Sequence, residues 1–350
     1  MKFRDRDAPI SPEGIIFRVF GYDHPHDAAF CDVEYAPESI YSTDERRAVR
    51  DGGKTLYYKF YFDGGLNFVR EKYPQYVMPH KFLGDAVGIS SQQVREVRRP
   101  DEYLKQIYNS EFHDPLIDTM REILDHVLDI SNLHLDDFGI FGSILHGFYN
   151  IKYSDVDFII YGQKELHELF EVLGSLYSKD IFENEFNSWT IDDPPEHWNF
   201  QRYSKKEYGW YQKRKRIYSI FSSKKLNRTV KIEWEPVRKW AEINNEYNEI
   251  VDIKKVGWTG IKFRVINDLG NGFMPTVYGI EVLDVIDGIT QYEIERIVNY
   301  VEEFRMQLFK DEIGYAYGMV EHVFTKTRDY YQLVLTYGPN YFEQVIKLFE

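Results

Sequence analysis

Asp155 and Asp157 stand at the head of an apolar run, Val156-Asp-Phe-Ile-Ile-Tyr, and Asp155 follows Gly142-Ser143 after a gap of eleven residues. The run reads as a buried strand, and residues i and i+2 of a strand point to the same face, so the two carboxylates stand side by side. Magnesium is a hard cation, usually held by one or two carboxylates together with substrate phosphates. Gly142 lets the backbone approach a phosphate closely, and Ser143 falls at the start of a short expected helix, 144–148, whose free N–H groups attract anions. Spacing alone carries little. Asp5-Arg6-Asp7 has the same spacing in a charged N-terminal segment and is given no role. Three features set Asp155 and Asp157 apart: Gly-Ser follows a β-like run, the gap suits a helical turn plus a loop, and the acids open an apolar strand.

A second candidate is residues 202–231. They hold eleven Lys and Arg against one acid, Glu207, with Tyr203, Trp210, Tyr211 and Phe221 interleaved. Cationic and stacking groups together bind bases and nucleotides. Arg214 and Lys215 are the candidates there for neutralising a phosphate or an RNA backbone; a solvated basic face is the competing reading. Asp23-His24-Pro25-His26-Asp27 holds ligand types but reads as a polar turn. Ser143 and His146 lack a Gly-x-Ser-x-Gly elbow. A Gly-x-x-x-x-Gly-Lys loop is missing, which excludes a P-loop NTPase.

The elements that must position these residues fall into three regions: 1–112, an N-terminal α+β region; 113–247, a core; and 248–350, a β-rich region. In the first, 14–22 and 30–35 read as paired strands, 55–63 as a strand or helix start, and 79–107 as short helical pieces and polar loops. In the core, Asp114-Pro115 signals a helix start, 138–142 a short strand, 164–177 a helix and 229–236 a strand stopped by Pro236. In the third, five short strands between 261 and 336 suggest a small β-barrel, with 289–309 open to a helix instead. Gly14-Ile-Ile-Phe-Arg-Val and Gly260-Ile-Lys-Phe-Arg-Val are a faint internal echo.

The 350 residues carry a formal charge of −14, so a generic polyanion binder is disfavoured outside the basic stretch. With 43% hydrophobic and 17% aromatic residues, a disordered chain is excluded. The single cysteine, Cys31, excludes a disulfide framework. Apolar runs are too short to cross a bilayer, and the charged N-terminus lacks an export signal, so a cytoplasmic protein without membrane partners is expected.

Gly-Ser, a gap, then Asp-x-Asp heading an apolar strand resembles the signature of the DNA polymerase β-like nucleotidyltransferase superfamily. The wider chain is similar to predicted archaeal nucleotidyltransferases with extra flanking domains, in Phe3-Arg-Asp-Arg-Asp, Val19-Phe-Gly-Tyr-Asp-His-Pro and the string around Gly142. The resemblance implies an α+β fold whose core is a nucleotidyltransferase-type mixed sheet with helices. It implies NMP transfer from an NTP to an acceptor hydroxyl, RNA slightly favoured, with release of pyrophosphate. Two Mg²⁺ ions, or Mn²⁺, would be held by Asp155, Asp157 and a third carboxylate, while Gly142 and Ser143 seat phosphates. CCA-adding enzymes follow this third acid with proline three positions on, which points to Glu233 before Pro236, with Glu235 second. Many relatives have aspartate there; glutamate is one methylene longer. The competing expectation is an inactive nucleotide- or RNA-binding regulatory protein that kept the core.

Overall fold

The computed structural model describes residues 1–350 apart from 62–63, 82–83, 188–199, 289–290, 338–339 and 350. Among the described residues the chain forms three sheets and six α-helices, a mixed architecture consistent with α+β. It divides into two compact units, 1–182 with 220–247, and 183–219 with 248–350. The first unit thus takes in 1–112 together with most of 113–247, and residues 183–219 go with the C-terminal region.

In the first unit, β1 (Ala8–Ile10), β2 (Ile16–Val19), β3 (Ala28–Pro37), β4 (Val49–Asp51) and β5 (Leu56–Lys59) are followed by helix α1 (Gly64–Lys72). Then come β6 (Val77–His80), β7 (Gly84–Ser90), β8 (Glu96–Arg98) and helix α2 (Pro100–Tyr108). The eight strands form one sheet, ordered β4-β5-β3-β2-β1-β8, with β6 and β7 joined through β3. The 14–35 hairpin lies where alternation placed it. The 79–107 stretch differs from the expected helical pieces and loops, because β6, β7 and β8 occupy much of it. These short strands join the sheet by backbone pairing, with little apolar periodicity to announce them.

Helix α3 (Pro115–Leu128) starts as expected, with the Asp114 carboxylate accepting from the N–H groups of Leu116 and Ile117 and proline at the first position. After it come β9 (Phe138–Ile140), α4 (Gly142–His146), β10 (Val156–Tyr161) and α5 (Gln163–Ser178). Next along the chain, β11 (Glu183–Asn184) and α6 (Lys205–Arg214) belong to the second unit, and β12 (Tyr218–Ser223) and β13 (Arg228–Val237) lead back into the first. β9 runs antiparallel to β10, and β10 runs parallel to β13. Fully buried Trp234 stacks on Phe158 at 4.7 Å. Burying a side chain such as Phe158 contributes about 1.5–3 kcal/mol, which fixes the facing of both strands. Pro236 does not stop β13, which runs on to Val237; proline is tolerated there because it lies one residue from the strand end.

The second unit carries β14 (Ile250–Gly270), β15 (Thr276–Gly288), β16 (Ile294–Asn299), β17 (Ile313–Thr325), β18 (Asp329–Leu335) and β19 (Val345–Leu348). β14 pairs with both β15 and β17, so the pairing closes a circuit β14-β15-β16-β18-β17, and β19 adds to β17. The helix alternative for 289–309 gives way to β16 over Ile294–Asn299, whose Ile297 is fully buried. The two echoed segments fall on strands of different sheets, a 4-residue β2 and a 21-residue β14. No helix among the described residues is long and apolar enough to cross a membrane.

Candidate functional site

The parallel register of β10 and β13 sets Asp157 directly beside Glu233, with Val156 beside Ile232 and Phe158 beside Trp234. Partners in register share a face, so Asp157 and Glu233 lie opposite the Phe158–Trp234 core. Glu235 shares their face two residues on, and one oxygen of each of these two glutamates lies within 4.8 Å of the other. Asp155 immediately precedes β10. Gly142 sits against this corner from α4. A Cβ there would lie 2.4 Å from the Asp157 Oδ2, and the residue has φ +64°, a conformation that favours glycine.

Burial raises the Asp157 carboxyl to about 7, aided by the negative charges of Asp155, Glu34 and Glu235 and opposed by Lys59. Glu235, rather than Glu233, is thus the β13 acid among the charges felt most strongly at Asp157. Yet Glu235 is fully buried and accepts a hydrogen bond from Arg6 Nη2 at 2.5 Å. That ion pair ties Glu235 to the N-terminal segment.

The loop between α4 and β10 is tied down by an arginine of the basic stretch. Arg228 Nη2 donates to the carbonyls of Ile151 and Ser154, at 3.0 and 2.6 Å. The Ser154 Oγ accepts from the Asn150 N–H at 2.8 Å, and the Ser143 Oγ lies 3.5 Å away. The same loop lines a groove of about 750 Å³ with Tyr103, Phe112, Tyr149, Asn150, Ile151 and Lys152 among its walls.

Glu34, Lys59, His146 and Arg6 also converge here, unmarked by any motif. β2 and β3 slip register between Ile16 facing Tyr35 and Phe17 facing Val33, so Glu34 is the extra residue of a β-bulge. A bulge re-aims its side chain. Glu34 Oε2 accordingly lies 3.7 Å from the Nε2 of His146 on α4. Arg98 Nη1 approaches the His146 Nδ1 at 3.2 Å, and since Arg can only donate, the imidazole proton belongs on Nε2, facing Glu34. Burial alone would raise the Glu34 carboxyl, but the Nε2–H of His146 directed at it and the charges of Arg18 and Lys59 hold it down at about 2.

The two cations proposed from sequence, Arg214 and Lys215, belong to the second unit. Lys215 is fully buried in the second unit, its Nζ donating to Gln212 Oε1 at 2.7 Å and to the Glu303 carbonyl at 2.8 Å. Arg214 pairs with Glu312 at 2.6 Å and lies over the rings of Trp210 and Phe309. Lys206, Lys213, Lys224 and Lys231 are exposed, the first two in the second unit and the last two in the first. The Asp23–Asp27 segment is a turn in which His24 Nδ1 accepts from the Phe30 N–H at 3.3 Å, and burial lowers its imidazole to about 4.

The site and sheets define a mixed α/β protein with a carboxylate cluster on a parallel strand pair. The chain is 27% identical over 347 residues to an uncharacterized protein of Methanocaldococcus jannaschii, MJ1086, covering 96% of this chain and 95% of that protein. No family model matches the chain. No solved structure matches it.

Proposed function

We propose that this chain is a metal-dependent nucleotidyltransferase that moves a nucleoside monophosphate from an NTP to an acceptor hydroxyl. The observation that carries the reading is the register pairing of Asp157 with Glu233, with Gly142 against the Asp157 carboxylate. The donor set is oxygen only, as Mg²⁺ requires. Among the described residues no Arg or Lys contacts the Asp157 carboxylate at ion-pair distance, and its strongest charged neighbour is another acid. Asp157 and Glu233, paired in register, offer a divalent cation two carboxylates. Asp155, Asp157 and Glu233 would hold it, and bound there it would lower the acceptor hydroxyl pKa and stabilise charge on the transferring phosphoryl group.

Gly142 and Ser143 seat the outer phosphates. The acceptor oxygen bonds to the α-phosphorus as the bond to the β-bridging oxygen breaks; pyrophosphate leaves and the hydroxyl proton passes to water. β9, β10 and β13 with α3 to α5 form the nucleotidyltransferase-type core, and the circuit of strands in the second unit is a small β-barrel. RNA is the favoured acceptor, supported by the exposed lysines of 202–231, and the protein acts in the cytoplasm. The alternative, a nucleotide- or RNA-binding regulator without turnover, is favoured by one observation: the third position is the longer glutamate, and its neighbour Glu235 is held by Arg6. Pyrophosphate release from NTPs on a mixed RNA pool, with and without Mg²⁺, separates the two. Metal-dependent release supports transfer; NTP binding without release supports the regulator.

A further inference from the structure

We propose that Lys59, supplied by the N-terminal sheet, binds the triphosphate of the NTP, so that the accessory region completes the substrate site. This rests on the function proposed above and names a residue for it.

The placement follows from register and packing. Lys59 faces Tyr35 across the antiparallel β3–β5 pair, and Tyr57 faces Pro37. Residues 57 and 59 therefore share the face of Tyr35. That face packs on the end of α4: Tyr35 meets His146 and Phe148 edge-on at 5.4 and 5.3 Å, and Tyr57 meets Phe148 at 4.6 Å. Leu145 and Phe148 share a buried cluster with Ile10, Ile16 and Tyr35. The N-terminal sheet thus seats directly on the Gly142–His146 turn, and Lys59 projects from the face that does so. Its positive charge bears on both Asp157 and Glu34. Among the described residues its ammonium has a ring contact, 5.8 Å from Tyr61, and no carboxylate at ion-pair distance.

A half-buried lysine held near two acids without closing on either is not an optimised counter-ion. It is placed for an anion arriving with a metal. Once Asp157 is neutralised by the cation, the ammonium is the local positive charge that faces the phosphates, which lysine binds as a point charge.

Binding of Mg·ATP, of AMP with Mg²⁺ and of Mg²⁺ with inorganic triphosphate is measured by calorimetry on the full chain and on Lys59→Gln, Lys59→Met and Lys59→Arg. Lys54→Gln, an exposed lysine of the β4–β5 turn, is the control. Loss of one charge-assisted contact weakens ATP and inorganic triphosphate roughly 10–100-fold in the Gln and Met variants. AMP stays within about twofold, as one lost triphosphate contact cannot touch a monophosphate, and Arg restores most of the loss. Unchanged triphosphate affinity, or equal weakening of ATP and AMP, overturns the proposal. Failure of both the Gln and Met variants to fold overturns it too, by making Lys59 structural. A parent that binds inorganic triphosphate through Lys59 but not ATP keeps the phosphate site and removes the nucleotidyltransferase reading. A parent that binds neither removes both.

Discussion

Asp5 and Asp7 are fully buried in the N-terminal segment, and arginines face them: Arg6 Nη1 lies 3.7 Å from Asp5, and Arg99 Nη1 lies 2.8 Å from Asp7. Asp155 and Asp157 have the same spacing on another edge of the same unit, but the charge that weighs most on Asp157 is the other acid. Burial raises the carboxyls of Asp5, Asp7 and Asp157 alike, to about 6, 7 and 7. A raised pKa therefore does not tell the pairs apart; the sign of the nearest charge does. The N-terminal pair is a structural ion network. Asp157 sits beside like charge, which disfavours its ionised form. Arg6 joins the two regions, since it contacts Asp5 and Glu235 both.

The largest effect is expected on the structural side. Arg6→Met removes the Arg6 contact from the buried Glu235 carboxylate and costs about 3–5 kcal/mol of folding free energy, read by urea denaturation. A cost under about 1 kcal/mol would show that Arg6 is dispensable and that the contrast between the pairs is overdrawn.

On the other side, Asp157→Asn removes a charge from the crowded pair. Transfer falls roughly 10²–10³-fold, about 3–4 kcal/mol of transition-state stabilisation. The metal-free protein melts no lower than the parent. A variant that melts well below the parent would place Asp157 among the structural acids.

Gly142→Ala is expected to act more gently. The new methyl displaces the Asp157 carboxylate, whose Oδ2 it would meet at 2.4 Å. Together with the positive φ, this costs about 1–2 kcal/mol of stability and weakens Mg²⁺ binding. An unchanged Mg²⁺ affinity would separate Gly142 from the site.

The smallest effect is a pH dependence. Asp157 keeps its proton in the folded protein up to about 7, against an ordinary value of 3.8. The folded state thus binds more protons than the unfolded one above pH 4, so this group's stabilisation is full below that and is lost as pH rises through 7. His24, lowered to about 4, has the opposite sign, but its contribution is complete by its ordinary value of 6.5. Without metal, stability therefore declines from about pH 4 to about pH 7, through Asp157, Asp7 and Asp5, offset in part by His24 below pH 6.5. Asp157→Asn shows a shallower decline, and Mg²⁺ stabilises the parent more at the upper end. A decline equally steep in the variant would assign it to Asp5 and Asp7.

The legible parts of the molecule were those whose signal is local. Asp114-Pro115 announced α3, and the apolar run after Asp155 announced β10. Glu34 and Lys59 gave no such sign. Glu34 reaches the site because β3 bulges against β2, and Lys59 because β5 pairs with β3; both facts are strand registers set by long-range pairing. Arg6 and Glu235 are 229 positions apart. Arg214 and Lys215 misled for the converse reason: a run of cations looks solvated, yet one is buried in a hydrogen-bonded niche and the other paired with Glu312.

Calorimetric titration of Mg·ATP into the parent, Asp157→Asn and Asp7→Asn tests the central claim most directly. The account predicts binding to the parent, affinity within about threefold in folded Asp7→Asn, whose charge lies outside the site, and at least about tenfold weaker binding in Asp157→Asn, which loses a metal-bound carboxylate. Equal affinity in all three, or a parent that binds no Mg·ATP, would contradict it.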